Sequence, residues 1–275
     1  MSLARQAGVL GKPIRHSLSP VIHNAGYRAA GLTGWRYSAH ECAESQLPGF
    51  VAALEPDWAG LSLTMPLKEA ALAVADEVAP LAATLGAANT LVRRAAGGWR
   101  AENTDGPGMV DALHEAGGHE VEQVAILGAG GTARAALAAA QQLGAATVTV
   151  YARRAEAIEE LAEVADGLGV DLLGAGWDEA IKAGQADIVV ATTPEGAADA
   201  LELHWRGGGV LFDALYDPWP TPLAASAAAA GCRVISGLDL LLAQAAHQFE
   251  LFTGVAAPRS AMRAALDAAV AARGR

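Results

Sequence analysis

Four short polar clusters hold the residues of this chain best suited to chemistry. His-Ser-Leu-Ser-Pro, residues 16–20, sets Ser17 and Ser19 at the expected start of a helix. Leu-Thr-Met-Pro-Leu-Lys, residues 63–68, closes a β-rich run and brings in Thr64 and Lys68. Gly-Ala-Ala-Asn-Thr, residues 86–90, contains Asn89, and Glu-Asn-Thr-Asp-Gly, residues 102–106, contains Asp105. Singly, each has a plain explanation: Ser19 as a helix cap, Asn89 and Asp105 as turn formers, Lys68 as a surface charge. As a set they suit a polyhydroxylated carboxylic acid. Hydroxyls at a helix start hold a carboxylate, amides and carboxylates bracket ring hydroxyls, and a lysine beside an aspartate moves a proton. Hydride addition to a ketone needs that proton at the developing alkoxide.

A hydride carrier has an expected site in the same chain. Ala-Ile-Leu-Gly-Ala-Gly-Gly-Thr-Ala, residues 125–133, fits G-x-G-x-x-A at Gly128, Gly130 and Ala133, directly after a strand-like run and ahead of an alanine-rich helix. Gly128 permits the tight turn, Gly130 lets the backbone approach a pyrophosphate, and Ala133 allows close packing of helix on strand. Ala129, Gly131 and Thr132 complete the loop, whose helix-start N–H groups suit a diphosphate. The next strand ends in Tyr-Ala-Arg-Arg, residues 151–154, with no acid for a ribose 2′-OH. Arg153 and Arg154 suit a 2′-phosphate, so NADP is expected rather than NAD. Glu156 follows on the next helix, expected to face solvent.

The elements that must position these groups alternate. Strands are expected at 123–127, 147–151, 186–192, 209–215 and 232–237, with helices between them, which implies a parallel sheet covered on both faces. The first hundred residues have their own alternation: strands at 7–11, 35–42 and 58–66, helices at 19–32 and 44–54. Ser19 and Pro20 read as an N-cap pair. Residues 238–272 read as helix with a break near 253–261. The expected fold is α/β with two domains separated by a cleft: a discontinuous substrate and catalytic domain, 1–106 plus 238–275, and a doubly wound Rossmann nucleotide domain, 107–237.

Composition excludes several classes. Of 275 residues 52% are hydrophobic and 18% charged, which is globular rather than disordered. Nineteen Lys and Arg against thirty Asp and Glu give a net charge of −11, which disfavours nucleic acid or an anionic membrane as partner. Cys42 and Cys232 have no metal-like spacing, and no Cys/His set with zinc spacing exists, so no metal is expected. No tyrosine is followed four residues later by lysine, the pair of another dehydrogenase chemistry. The opening Met-Ser-Leu-Ala-Arg lacks a secretory pattern and no apolar run approaches about 18 residues, so a cytoplasmic protein, monomer or homodimer, is expected.

Eight motifs in order resemble the shikimate dehydrogenase family: GKPIRHSLSPVIHN, LSLTMPLK, GAANTL, NTDGPG, ILGAGGTAR, ATTPEG, YDPWPTPL and GLDLLLAQAAHQFELFTG. The resemblance spans nearly the whole chain. It implies NADPH-dependent reduction of 3-dehydroshikimate to shikimate in aromatic amino-acid biosynthesis, with Lys68 and Asp105 as the catalytic pair in a cleft between domains. It further implies that Ser17 and Ser19 hold the substrate carboxylate and that Thr64, Asn89, Asp105, Tyr216 and Gln244 contact its other polar groups. Gly128 to Ala133, the arginines, Thr192 and Gly237 would serve the cofactor.

Three departures from the family pattern stand out. Ser62 replaces an asparagine, so a shorter hydroxyl stands where an amide is usual. Ala-Arg-Arg at 152–154 replaces Asn-Arg-Thr, and Leu240 replaces a methionine. Two competing readings are a quinate/shikimate dehydrogenase using NAD and a non-catalytic NADP sensor of the same fold. The missing acid after the second strand weighs against the first, and the presence of both Lys68 and Asp105 against the second.

Overall fold

The computed structural model describes residues 5–117 and 121–273. The chain forms two compact units, Met1–Thr104 with Leu242–Arg275, and Asp105–Leu241. In the first, β1 (Arg5–Gly11), α1 (Ser19–Ala29), β2 (Trp35–Glu41), α2 (Leu47–Ala52), β3 (Trp58–Leu63), α3 (Ala70–Val74), β4 (Glu77–Val78), α4 (Pro80–Leu85), β5 (Thr90–Arg93) and β6 (Trp99–Glu102) follow in order. Their sheet runs β2-β1-β3-β5-β6-β4. β3 pairs parallel with β1 and antiparallel with β5. All six of its residues are buried, which is why it reads as a continuous apolar run rather than an alternation.

The β5–β6 hairpin makes this sheet mixed, a feature the sequence pattern did not suggest. Its strands are only four residues each and include arginines, too short for a period to register. Gly97 and Gly98, at φ 89° and 77°, supply its turn. Consequently Asn89 stands just before a strand rather than after one. α1 starts with Ser19 as its first helical residue, and the hydroxyl of Ser17 accepts the Ser19 N–H at 3.3 Å. The N-cap residue is therefore Leu18, which makes no side-chain cap bond, and not Ser19.

In the second unit α5 (Asp105–Glu115), β7 (Gln123–Leu127), α6 (Gly131–Gln142), β8 (Thr147–Ala152), α7 (Ala155–Leu168), β9 (Leu172–Gly176), β10 (Ile188–Ala191), β11 (Val210–Asp213), α8 (Pro222–Ala229) and β12 (Arg233–Ser236) build a six-stranded sheet, β12-β11-β10-β7-β8-β9. Every strand pair in it is parallel. Strand order reverses between β7 and β10, so the ends of these two strands open a crevice. β9, absent from the sequence reading, is a sheet edge with a half-exposed pattern. α6 buries Ala133, Ala135, Ala136, Ala138, Ala139 and Ala140, small side chains that let it lie close to its neighbours, along with Leu137.

α9 (Gly237–Thr253) and α10 (Arg259–Arg273) complete the chain. No helix among the described residues is long and apolar enough to cross a membrane. α10 packs on α1. Gly26 of α1 lies against Phe249 and Met262, and a side chain at Gly60 of β3 would overlap the Phe252 ring. The small residues of α1 and β3 thus seat the bulky ones of α9 and α10.

His23 is fully buried in this layer, stacked on Tyr37 with ring centroids 4.1 Å apart. Neither ring nitrogen has a hydrogen-bond partner. Burial holds its imidazole down from 6.5 to about 3, with the nearby Gln248 side chain pulling weakly the other way. The unfolded chain therefore takes up a proton near pH 6.5 that the folded chain refuses until about pH 3. The stability tied to neutral His23 is complete above the unfolded value and is lost as pH falls toward the folded one. Urea unfolding at pH 7 and pH 5 should show the parent losing about 2 kcal/mol more than His23→Phe across that interval. Equal losses in the two proteins would contradict this account.

Candidate active site

β7 runs straight into the glycine loop. Gly128 has φ 102°, a conformation glycine adopts without strain, and a side chain there would come within 2.8 Å of Thr192 Oγ1. Thr192 follows β10 across the strand-order reversal, and both its N–H and its hydroxyl donate to the Leu127 carbonyl, at 2.8 and 3.0 Å. The two strand ends are thereby held in contact. A side chain at Gly130 or Gly131 would meet nothing within 4 Å, so the space above the loop is open to a bulky ligand. α6 begins at Gly131, with Thr132 in its first turn and Ala133 fully buried beneath.

Gly128, Gly130 and Thr192 line a cleft of about 520 Å³. Ala129, Thr193, Pro194, Arg153, Arg154 and Trp177 are also in its lining. Both arginines are exposed, so their guanidinium groups are available to an anion, and Glu156 is exposed as expected. The arrangement fits a dinucleotide: open backbone at a helix start suits a diphosphate, and two exposed guanidiniums suit a further phosphate. Trp177, Thr193 and Pro194 were not anticipated. Trp177 opens the 3₁₀ segment Trp177–Gln185, whose sequence has no motif to mark it.

At another strand end of this unit, Asp213 is buried and accepts from Thr221 Oγ1 at 2.6 Å and Leu215 N at 3.1 Å. Burial raises its carboxyl above the ordinary range, with those two donors opposing. Thr221 also caps α8 by accepting the Ala224 N–H at 3.0 Å. The Asp213–Thr221 bond ties down the loop that presents Tyr216, which is half-buried. Gly237 opens α9 beside it: a side chain there would overlap the Ala214 carbonyl and approach Tyr216 Cδ1 at 3.1 Å. Asp105 is the first residue of α5.

In the first unit, the turn after β3 carries Thr64 and Lys68, both half-buried. Gly11, at the end of β1, leaves room for the Thr64 methyl. The Leu63 N–H donates to the Asn89 carbonyl at 2.7 Å, and the Ala88 N–H to the Lys68 carbonyl at 2.8 Å. Backbone bonds therefore join the segments of Thr64, Lys68 and Asn89. The Asn89 amide is buried between two threonines, with Thr104 N and Thr90 Oγ1 donating to its Oδ1 at 2.8 and 2.9 Å. Gln248 reaches the same place from α9, donating to Thr90 Oγ1 at 3.0 Å. Gln244, also buried, lies one turn earlier on that face. Ser17 and Ser19 sit together at the head of α1.

Ser62 does not behave as an exposed ligand group. It is 4% exposed, with Tyr37 Oη and Gln248 Oε1 each 2.6 Å from its hydroxyl. Gln248 was not among the anticipated residues; its spacing from Gln244 on one helix was the available signal. No group of three or more His, Cys, Asp or Glu able to hold a metal ion occurs among the described residues.

Comparison with known proteins adds the following. Residues 9–91 match the shikimate dehydrogenase substrate binding domain, and 237–266 the shikimate 5′-dehydrogenase C-terminal domain. Residues 116–216 match the ornithine cyclodeaminase/mu-crystallin family. The chain is 38% identical to a shikimate dehydrogenase (NADP(+)) of Moorella thermoacetica, over 96% of this chain and 93% of that protein. It is similar to the crystal structure of Mycobacterium tuberculosis shikimate dehydrogenase, with TM-score 0.88, 44% identity, and coverage of 96% and 99%. It is also similar to shikimate 5-dehydrogenase from Thermus thermophilus in complex with NADP(H) and shikimate, with TM-score 0.83, 32% identity, and coverage of 96% and 99%.

Gly237 offers a test of this local packing. Gly237→Ala drives a methyl into backbone, which cannot swing aside as a side-chain tip can, and such overpacking destabilises by about 1–3 kcal/mol. Thermal unfolding should fall accordingly; an unchanged Tm would mean the Ala214 carbonyl gives way freely.

Proposed function

Because the chain belongs to the shikimate dehydrogenase family, we propose that it catalyses the reversible NADPH-dependent reduction of 3-dehydroshikimate to shikimate, a step of aromatic amino-acid biosynthesis. The observation that carries this reading is the 38% identity to an NADP-dependent shikimate dehydrogenase over nearly all of both chains. The cleft at the glycine loop supports the cofactor, because its lining includes Arg153 and Arg154 and no carboxylate. We further take the protein to work in the cytoplasm, as a monomer or homodimer.

When bound, NADPH supplies the hydride to the ketone carbon. Gly128 to Ala133, Arg153, Arg154, Thr192 and Gly237 are the residues we assign to holding it. Lys68 and Asp105 form the pair that serves the reacting oxygen. In reduction Lys68 delivers a proton to the developing alkoxide, and in oxidation it takes the hydroxyl proton back. Asp105 orients that same oxygen. Ser17 and Ser19 hold the carboxylate, while Thr64, Asn89, Tyr216 and Gln244 take the other polar groups. Each contact to a non-reacting hydroxyl contributes to orientation, which lowers the entropic part of the barrier.

Steady-state kinetics with shikimate or quinate and NADP⁺ or NAD⁺ test the reading; preference for quinate and NAD⁺ would replace it with the quinate enzyme. Replacing Arg153 and Arg154 together with alanine should raise KM for NADP⁺ about tenfold, with little change for NAD⁺. A parallel loss with both nucleotides would place the 2′-phosphate elsewhere. Lys68→Ala should lower kcat by about 10²-fold or more with KM for shikimate little changed, because the proton transfer matters in the transition state. Near-normal turnover would assign the proton to another group.

A further inference from the structure

The side chains that line the glycine-loop cleft are uneven in kind. The charged ones are Arg153 and Arg154, and the hydroxyls are those of Thr192 and Thr193. Ala129, Ala152, Ala157, Ala197 and Pro194 are apolar but too short to offer a broad flat face. Trp177 is the exception. Among the described residues it alone of the chain's six tryptophans is in that lining, and no tyrosine or phenylalanine joins it there. It is also held ready for a ligand. The 3₁₀ segment that it opens is anchored by the buried Ala180 and Ala183, and the indole packs on the apolar cluster that contains them while staying half-buried. Part of the ring system rests on protein and the rest is left to the cleft, so little side-chain freedom remains to be lost on binding.

We propose that Trp177 is the adenine-binding residue of this cleft, its indole stacking on the base of the dinucleotide. The proposal rests on the reading of the cleft as the NADP site. The parts of the cofactor ask different things of a protein. Phosphates ask for N–H groups and guanidiniums, which the glycine loop and the arginines offer. Adenine is flat and uncharged, and it gains most from a second π-face, a contact worth about tenfold or more in affinity. The guanidiniums of Arg153 and Arg154 are planar too, but their charge-assisted bonds are needed at phosphate. Trp177 has no such competing task. A stacking ring does not sense the 2′-phosphate, so Trp177 serves NADP⁺ and NAD⁺ equally, whereas the arginines separate the two.

The test uses the full chain with adenosine 2′,5′-bisphosphate, the adenine half of NADP⁺, as probe. Calorimetry should find its Kd raised about tenfold or more in Trp177→Leu, which keeps apolar bulk without a π-face. Trp177→Phe keeps a ring and should stay within about threefold of the parent. In Trp177→Leu, KM for NADP⁺ and for NAD⁺ should rise by the same factor, unlike the outcome expected when the arginines are removed. In protein labelled with 5-fluorotryptophan, the resonance missing from Trp177→Phe should move when the bisphosphate is added. It should stay in place with nicotinamide mononucleotide, which carries no adenine. Parent-like binding in Trp177→Leu, equal losses in both variants, or an unmoved Trp177 resonance in a protein that binds the probe overturns the proposal. If Trp177→Leu does not fold, the Trp177 resonance decides alone. A parent that binds neither the bisphosphate nor NADP⁺ refutes the reading of the cleft itself, an outcome distinct from a bound probe that leaves Trp177 untouched.

Discussion

One buried carboxamide, that of Gln248, joins the end of the chain to its first sheet. It meets Thr90 and the Asn89 carbonyl across separations of 158 and 159 residues, and Ser62 across 186. A buried amide must find all its partners or be strongly destabilising, because no water reaches it. The position of α9 in the first unit is therefore constrained polar group by polar group as well as by the fit of Phe249 and Phe252 over Gly26 and Gly60. Apolar packing alone would tolerate small slides along the helix axis. The hydrogen bonds do not, since each has a direction as well as a length.

The second unit depends on a different constraint, the closeness with which backbone can approach backbone. Gly128 and Gly237 stand where a side chain would meet Thr192 or the Ala214 carbonyl. Both follow parallel strands: Gly128 comes after β7, where the reversal of strand order leaves a crevice, and Gly237 after the edge strand β12. The run of buried alanines in α6 belongs to the same economy of size.

Much of this was legible in the residues. The glycine loop follows β7 and opens α6 as its spacing implies, because φ above zero and close backbone approach leave few residue types to choose from. α7 falls where its apolar period puts it, and the two helices of the tail break where glycine and proline interrupt them. The β5–β6 hairpin was not legible: four residues are too few to show alternation, and its pairing with β3 is a long-range event. Nor was the inward commitment of Ser62, which in the sequence is only a small polar residue in an apolar strand.

The sequence by itself determined local chemistry: which positions tolerate a left-handed turn, which runs bury a face, where hydroxyls, amides, arginines and a lysine recur at strand ends. Those are properties of neighbouring residues and need no partner. Only the tertiary structure decided what each polar group donates to or accepts from. Ser62, Thr90, Asn89 and Gln248 acquire a direction together, since a hydrogen bond's polarity is set by the whole set of buried donors and acceptors around it and not by any residue alone.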